Sequence, residues 1–119
     1  MTETLYWFEI PVAEMARACR FYGALLDVDL TATEAMDNLV AFLPNRDGAL
    51  VQGPDYRPGS NGQGIRIYLH CEPDLTPALE RALAHGGTVV MPKTPIGPNG
   101  YVAYVIDSEG NKIGLHSSQ

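Results

Sequence analysis

The pattern of strands and helices in this chain occurs twice. Residues 5–52 read as a strand, a helix and three short strands, and residues 64–117 repeat that order with little identity. One βαβββ order arises easily by chance; two in succession mark an internal repeat of roughly sixty residues. The joining segment, GPDYRPGSNGQG (53–64), is too rich in glycine and proline for a central strand or a helix interior. It reads as a surface connection. The chain is therefore expected to be one α+β domain, with module one at 1–53, a linker at 53–64 and module two at 64–119.

In module one, LYWFEIPV (5–12) alternates. Trp7, Glu9 and Pro11 fall on one face, and Phe8, Ile10 and Val12 fall on the other, so the wholly apolar set is expected against the helices. A helix over 13–26 aligns Met15, Ala18, Cys19, Tyr22, Leu25 and Leu26, with Arg17 and Arg20 off the stripe. Short strands at 29–34, 39–43 and 49–52 follow, separated by turns. Module two opens with GIRIYLHC (64–71), which sets Ile65, Ile67 and Leu69 against Arg66, Tyr68 and His70. Its helix starts near Asp74 or Thr76, has Pro77 in the first turn, and stops at Gly86-Gly87. Strands at 88–93, 101–107 and 112–117 complete it. The last two are joined by the turn DSEGN (107–111), which reads as a hairpin.

Apolar residues make up 45% of the 119, which suits an ordered core, and the formal charge of −6 argues against nucleic acid or an anionic membrane surface as partner. The apolar runs are far shorter than a membrane span. Met1-Thr2-Glu3-Thr4 has neither the basic segment nor the apolar core of a secretion signal. Cys19 and Cys71 sit in unrelated elements and read as reduced thiols. A cytoplasmic protein is expected. No nucleophile elbow, P-loop or dinucleotide fingerprint is present.

FEIPV (8–12) followed by RACRFYGALL (17–26), with DSEGNKIGL (107–115) near the end, resembles the vicinal oxygen chelate superfamily of glyoxalase I, bleomycin-resistance proteins and extradiol dioxygenases. The resemblance covers essentially the whole chain. It implies two βαβββ modules forming a curved mixed sheet around a cavity, and a homodimer. It also implies where a metal would sit: one ligand on the first strand and one on the last strand of each module. Those positions fall on Trp7, Arg66, Gly114 and the stretch 49–51. Indole and glycine offer no ligating side chain, a guanidinium has no lone pair to give, and 49–51 holds no ligand type. No cofactor is expected at the family's metal site.

If alternation holds, Trp7, Glu9, Arg66, Tyr68, His70, Gly114 and His116 share the concave face. Six of these, Trp7, Glu9, Arg66, Tyr68, His70 and His116, are the candidate ligand-binding residues. An aromatic wall with a few converging polar groups is the chemistry of an organic-ligand pocket. Trp7 suits stacking, Glu9 an amine and Arg66 a carboxylate. An ion pair between Glu9 and Arg66 is the competing structural reading. His85 suits a helix C-terminus and is set aside. Lys93 and Thr94 stand in a loop whose default reading is a solvated turn, the alternative being closure over a ligand.

The function expected is binding of a small organic molecule in the sheet cavity without a metal. The alternative is a metal-dependent lyase, isomerase or dioxygenase with a rearranged site. Glu9, His70 and His116 have the composition of a two-histidine, one-carboxylate triad. However, a two-residue step along a strand moves a side chain about 6–7 Å, which sets these residues away from the family's metal point.

Overall fold

The doubled pattern becomes two small mixed sheets. A computed structural model describes residues 5–59 and 65–119 of the chain. The Met1–Thr4 reading, and the linker and strand positions at 60–64, fall outside the described residues. Module one runs β1 (Phe8–Pro11), α1 (Met15–Leu26), β2 (Thr33–Ala35), β3 (Asn38–Phe42) and β4 (Gly48–Gln52). Module two runs β5 (Tyr68–His70), α2 (Thr76–Ala84), β6 (Thr88–Pro95), β7 (Tyr101–Ile106) and β8 (Lys112–Ser117). The sheets are ordered β1-β4-β3-β2 and β5-β8-β7-β6. In each, the first strand is an edge paired parallel to the module's last strand, and the other pairings are antiparallel. A parallel pair needs a long crossover, and the helix at the start of each module supplies it.

Strand lengths differ from expectation at the edges. The first strand is four residues where eight alternate, and β5 is three residues long. An edge strand is assigned only where its single neighbour pairs with it, so alternation in the sequence outruns the ladder. Conversely β6 extends to Pro95 and includes Lys93 and Thr94. Lys93 forms an ion pair with Asp74 (2.9 Å) and lies over the Tyr101 ring. It clasps the start of α2 and does not hang over a cavity as a mobile loop residue.

Both sheets turn one face toward a single buried cluster. Ile10, Val12 and Leu50 of module one meet Leu69, Val105, Ile113 and Leu115 of module two, together with the apolar faces of both helices. On α1 the buried set is Met15, Ala18, Phe21, Tyr22 and Leu25. Phe21 therefore joins the expected stripe, while Cys19 and Leu26 sit at its margin. Full burial of each large side chain contributes about 1.5–3 kcal/mol. Asp27 ends α1 with φ of 58°, and the Val28 N–H then reaches the Gly23 carbonyl at 2.9 Å. Gly86, with φ of 101°, does the equivalent work after α2, where a side chain would be strained.

The closing turn locks the modules together. Glu109 is buried, and its carboxylate accepts from the Ala13 and Glu14 N–H groups at the start of α1 (2.8 and 2.9 Å). The same carboxylate takes two donors from the Arg17 guanidinium, at 2.7 and 2.9 Å. An acid at a helix N-terminus satisfies unpaired donors and favours the dipole. Asp107, also buried, accepts from the Glu109 and Asn111 N–H groups, which shapes the turn, and from the Tyr22 hydroxyl of α1. Asn111 donates its side-chain amide to the Pro11 carbonyl at 2.8 Å. One five-residue turn thus holds β1 and α1 of the other module.

Candidate functional site

On the face of β1 away from the helices, alternation places Trp7 and Glu9 side by side. The Trp7 indole N–H donates to Glu9 (3.2 Å), and the Tyr56 hydroxyl donates to the other carboxylate oxygen (2.7 Å). Trp7 meets Phe42 edge-on with centroids 6.0 Å apart, and behind them lie Val40, Ala49 and Val51. The hydrogen bond to Glu9 is the main reason that the Tyr56 hydroxyl is held above the ordinary phenol range. Beside this group is a cleft of about 430 Å³, lined by Trp7, Glu9, Pro11, Arg57, Ile67 and Lys112 among others. It is walled largely by apolar surface, with an acid and two cations at its margin. A larger groove of about 1160 Å³ lies around Met36, Asn38, Gln52 and Arg57, but it is open and lined about equally by polar and apolar surface. The smaller cleft has the character of an organic-ligand site.

Module two presents a second aromatic patch. In the ladder Gly114 of β8 pairs with Tyr68 on one side and Tyr104 on the other. Because Gly114 carries no side chain, the two tyrosines close over it. Their hydroxyls lie 2.7 Å apart and their rings meet at 5.9 Å. The Arg66 guanidinium and the Lys112 ammonium approach the Tyr104 ring at 4.9 and 5.3 Å. The hydrogen bond to Tyr104 raises the Tyr68 pKa, with burial adding and Arg66 opposing. A phenol held above its ordinary range is a poor proton donor at neutral pH.

The structure therefore divides the six expected residues by module, and within module two Arg66, Tyr68 and His70 line one further cleft of about 510 Å³. Trp7 and Glu9 stand together at the cleft. Arg66 and Tyr68 stand together around Gly114 and Tyr104. His70 and His116 pair across β5 and β8 with ring centroids 6.4 Å apart, and their nearest acid is Glu72, not Glu9. The Glu9 carboxylate is engaged by Trp7 and Tyr56. His85 donates to the Arg81 carbonyl (2.9 Å) at the end of α2, as expected of a structural histidine.

At the positions that the resemblance assigns to a metal, the side chains do not fit one. A Cβ built on Gly114 would lie 2.4 Å from the Tyr68 ring, so the space for a carboxylate there is already filled. Ala49, Leu50 and Val51 are fully buried and apolar, and the indole of Trp7 is a donor only.

Three participants carry no signal of their own in the sequence. Tyr56 lies in the glycine- and proline-rich connection, where no period points to a partner. Tyr104 and Lys112 read as strand residues, but their approach to Tyr68 and Arg66 depends on the β5-β8-β7 order.

Comparison with known proteins agrees with this architecture. TnmS3 from Streptomyces sp. CB03234, described as an antibiotic binding protein, is 26% identical over 99% of this chain and 98% of its own, with a TM-score of 0.68. A glyoxalase/bleomycin resistance protein from the same organism is 28% identical over 93% of this chain and 97% of its own, with a TM-score of 0.66. The fosfomycin resistance protein FosX from Mesorhizobium loti shares the fold at 19% identity, a TM-score of 0.70, and coverage of 100% and 95%. A search of curated proteins finds no match. The family model described as Glyoxalase/Bleomycin resistance protein/Dioxygenase superfamily matches residues 4–115. With its two βαβββ modules and that match over nearly its whole length, the chain belongs to the glyoxalase/bleomycin resistance protein/dioxygenase superfamily.

Proposed function

We propose that this protein binds a small organic molecule in the cleft beside Trp7, and that it does so without a metal. The observation that carries the reading is the Trp7–Glu9–Tyr56 arrangement. An indole face and a carboxylate are fixed in place by two hydrogen bonds at the mouth of a mostly apolar cleft. Preorganised groups lose little conformational freedom on binding, and an aromatic wall supplies contact area. Glu9 is positioned for an amine or hydroxyl of the ligand, and Lys112 and Arg57 for an anionic group. The antibiotic-binding description of TnmS3 supports a binding role over catalysis.

A homodimer is part of the proposal. Tyr6 and Ile65 stand almost fully exposed, at 96% each, and Leu5 at 65%, with Leu5 and Ile65 lining the cleft. Apolar side chains so placed favour a second copy covering them. Light scattering on the purified protein reads the oligomeric state directly.

The binding test is a thermal-shift screen of chelator-treated protein against planar aromatic amines, planar aromatic carboxylates and neutral aromatics. We expect one class to raise Tm and the shift to disappear in Trp7→Ala. Selective loss in Glu9→Gln identifies a cationic ligand, and selective loss in Arg57→Ala or Lys112→Ala an anionic one. A screen without hits, or a shift that persists in Trp7→Ala, overturns the proposal.

A further inference from the structure

We propose that His70, Glu72 and His116 form a binding site for a first-row divalent transition-metal ion, separate from the positions at which the superfamily resemblance would place one. The three converge for a reason of register. His70 and His116 are direct partners in the parallel β5–β8 pairing, and the Cys71 N–H donating to the His116 carbonyl (2.8 Å) continues that pairing past the strand end. Glu72 is two residues beyond His70 and returns to the same face. One ligand atom from each lies within 4.8 Å of the others, and His116 Nδ1 is 3.9 Å from a Glu72 oxygen. That separation is too long for a hydrogen bond. Two donors on one zinc ion, each at about 2.1 Å, stand roughly 3.4 Å apart, so small side-chain rotations suffice to close the triad.

The groups behind the ligands point to the same use. His116 Nε2 is 2.6 Å from the Asn99 carbonyl, which only accepts, so the ring proton is on Nε2. In the neutral ring this leaves the lone pair on Nδ1, the nitrogen 3.9 Å from a Glu72 oxygen. One Glu72 oxygen accepts from both the Ser118 N–H (2.9 Å) and the Ser118 hydroxyl (2.7 Å), and the other oxygen is the one nearest His116. A ligating histidine that donates its second nitrogen to a carbonyl, beside a ligating carboxylate that is itself hydrogen-bonded, is the usual support of a protein metal centre. Two imidazoles and a carboxylate suit zinc, iron, cobalt or nickel, not calcium or magnesium. Three protein ligands leave coordination positions for water or an exogenous donor. Glu72 and His70 are exposed, so an ion has access. None of the three lines the Trp7 cleft, and the two readings stand or fall separately.

The test uses full-length, tag-free protein stripped with a chelator and titrated with Co(II), followed by visible d–d absorption, and with Zn(II) by calorimetry. We expect one ion per chain. His70→Ala, Glu72→Gln and His116→Ala should each weaken binding by about 100-fold or more, and Ser118→Ala by about 10-fold. Trp7→Ala should leave metal affinity unchanged. His70 and Glu72 are exposed, so their variants fold, which circular dichroism in the presence of chelator verifies. Absence of a Co(II) band and of Zn(II) heat in the wild type overturns the proposal. So does undiminished affinity in the His70→Ala/His116→Ala double variant.

Discussion

The ring of Tyr68 occupies the volume that a side chain at position 114 would need, with a Cβ on Gly114 falling 2.4 Å from Tyr68 Cδ2. Gly114 in turn permits the hydroxyls of Tyr68 and Tyr104 to meet across β8. Where the resemblance predicts a metal-binding carboxylate, this chain has a tyrosine pair over a glycine.

That relationship predicts a coupled effect. Gly114→Ala should destabilise the protein by about 1 kcal/mol, because an inserted methyl meets a packed ring. In a Tyr68→Ala background the same change should cost much less, since the obstructing ring is gone. Denaturant unfolding of the four members of the cycle measures this. Equal costs in both backgrounds would refute the steric account.

Acid stability should depend on Glu109. Burial alone would raise its pKa, but the Arg17 guanidinium, the Glu14 N–H, the Ser108 hydroxyl and the Ala13 N–H outweigh burial and bring it from 4.5 to about 2. A depressed folded-state pKa contributes stability above the unfolded value. That contribution is lost as pH falls from about 4.5 toward about 2. Glu109→Gln should cost about 2 kcal/mol at neutral pH and flatten the acid limb of a stability–pH profile. An unchanged acid limb would contradict the assignment.

Tyr22→Phe isolates the other half of the inter-module lock. Burial, with the negative charges of Asp107 and Glu109, pushes the Tyr22 hydroxyl well above the phenol range, so it remains a donor to Asp107 throughout the stable pH range. Removing it leaves a buried carboxylate short of one partner. The expected cost is about 1.5–3 kcal/mol, read as a fall in Tm with the far-UV spectrum retained. A cost near zero would mean that the lock rests on the Glu109 and Asn111 contacts.

Much of the fold was legible because period and punctuation are local signals. Phe8, Ile10 and Val12 alternate, Gly86-Gly87 stop a helix, and DSEGN turns a hairpin. The pairing of Trp7 with Glu9 followed from the same two-residue period. What escaped was contact between elements far apart in sequence. Glu109 reads as a turn residue, and nothing local shows that it caps α1 some 95 positions earlier. Likewise Glu72 follows a strand, and its convergence with His116 exists only through the β5–β8 register. Placing all six candidates on one concave face assumed that the modules present their faces to one site. The structure groups them by module instead.

The proposed organic-ligand binding at the Trp7 cleft needs no metal. It is tested most directly by calorimetric titration of the tightest thermal-shift hit into metal-stripped protein, repeated with Zn(II) added. The same Kd is expected in both titrations, with loss of binding in Trp7→Ala. Binding that vanishes on stripping and returns with Zn(II) would contradict it.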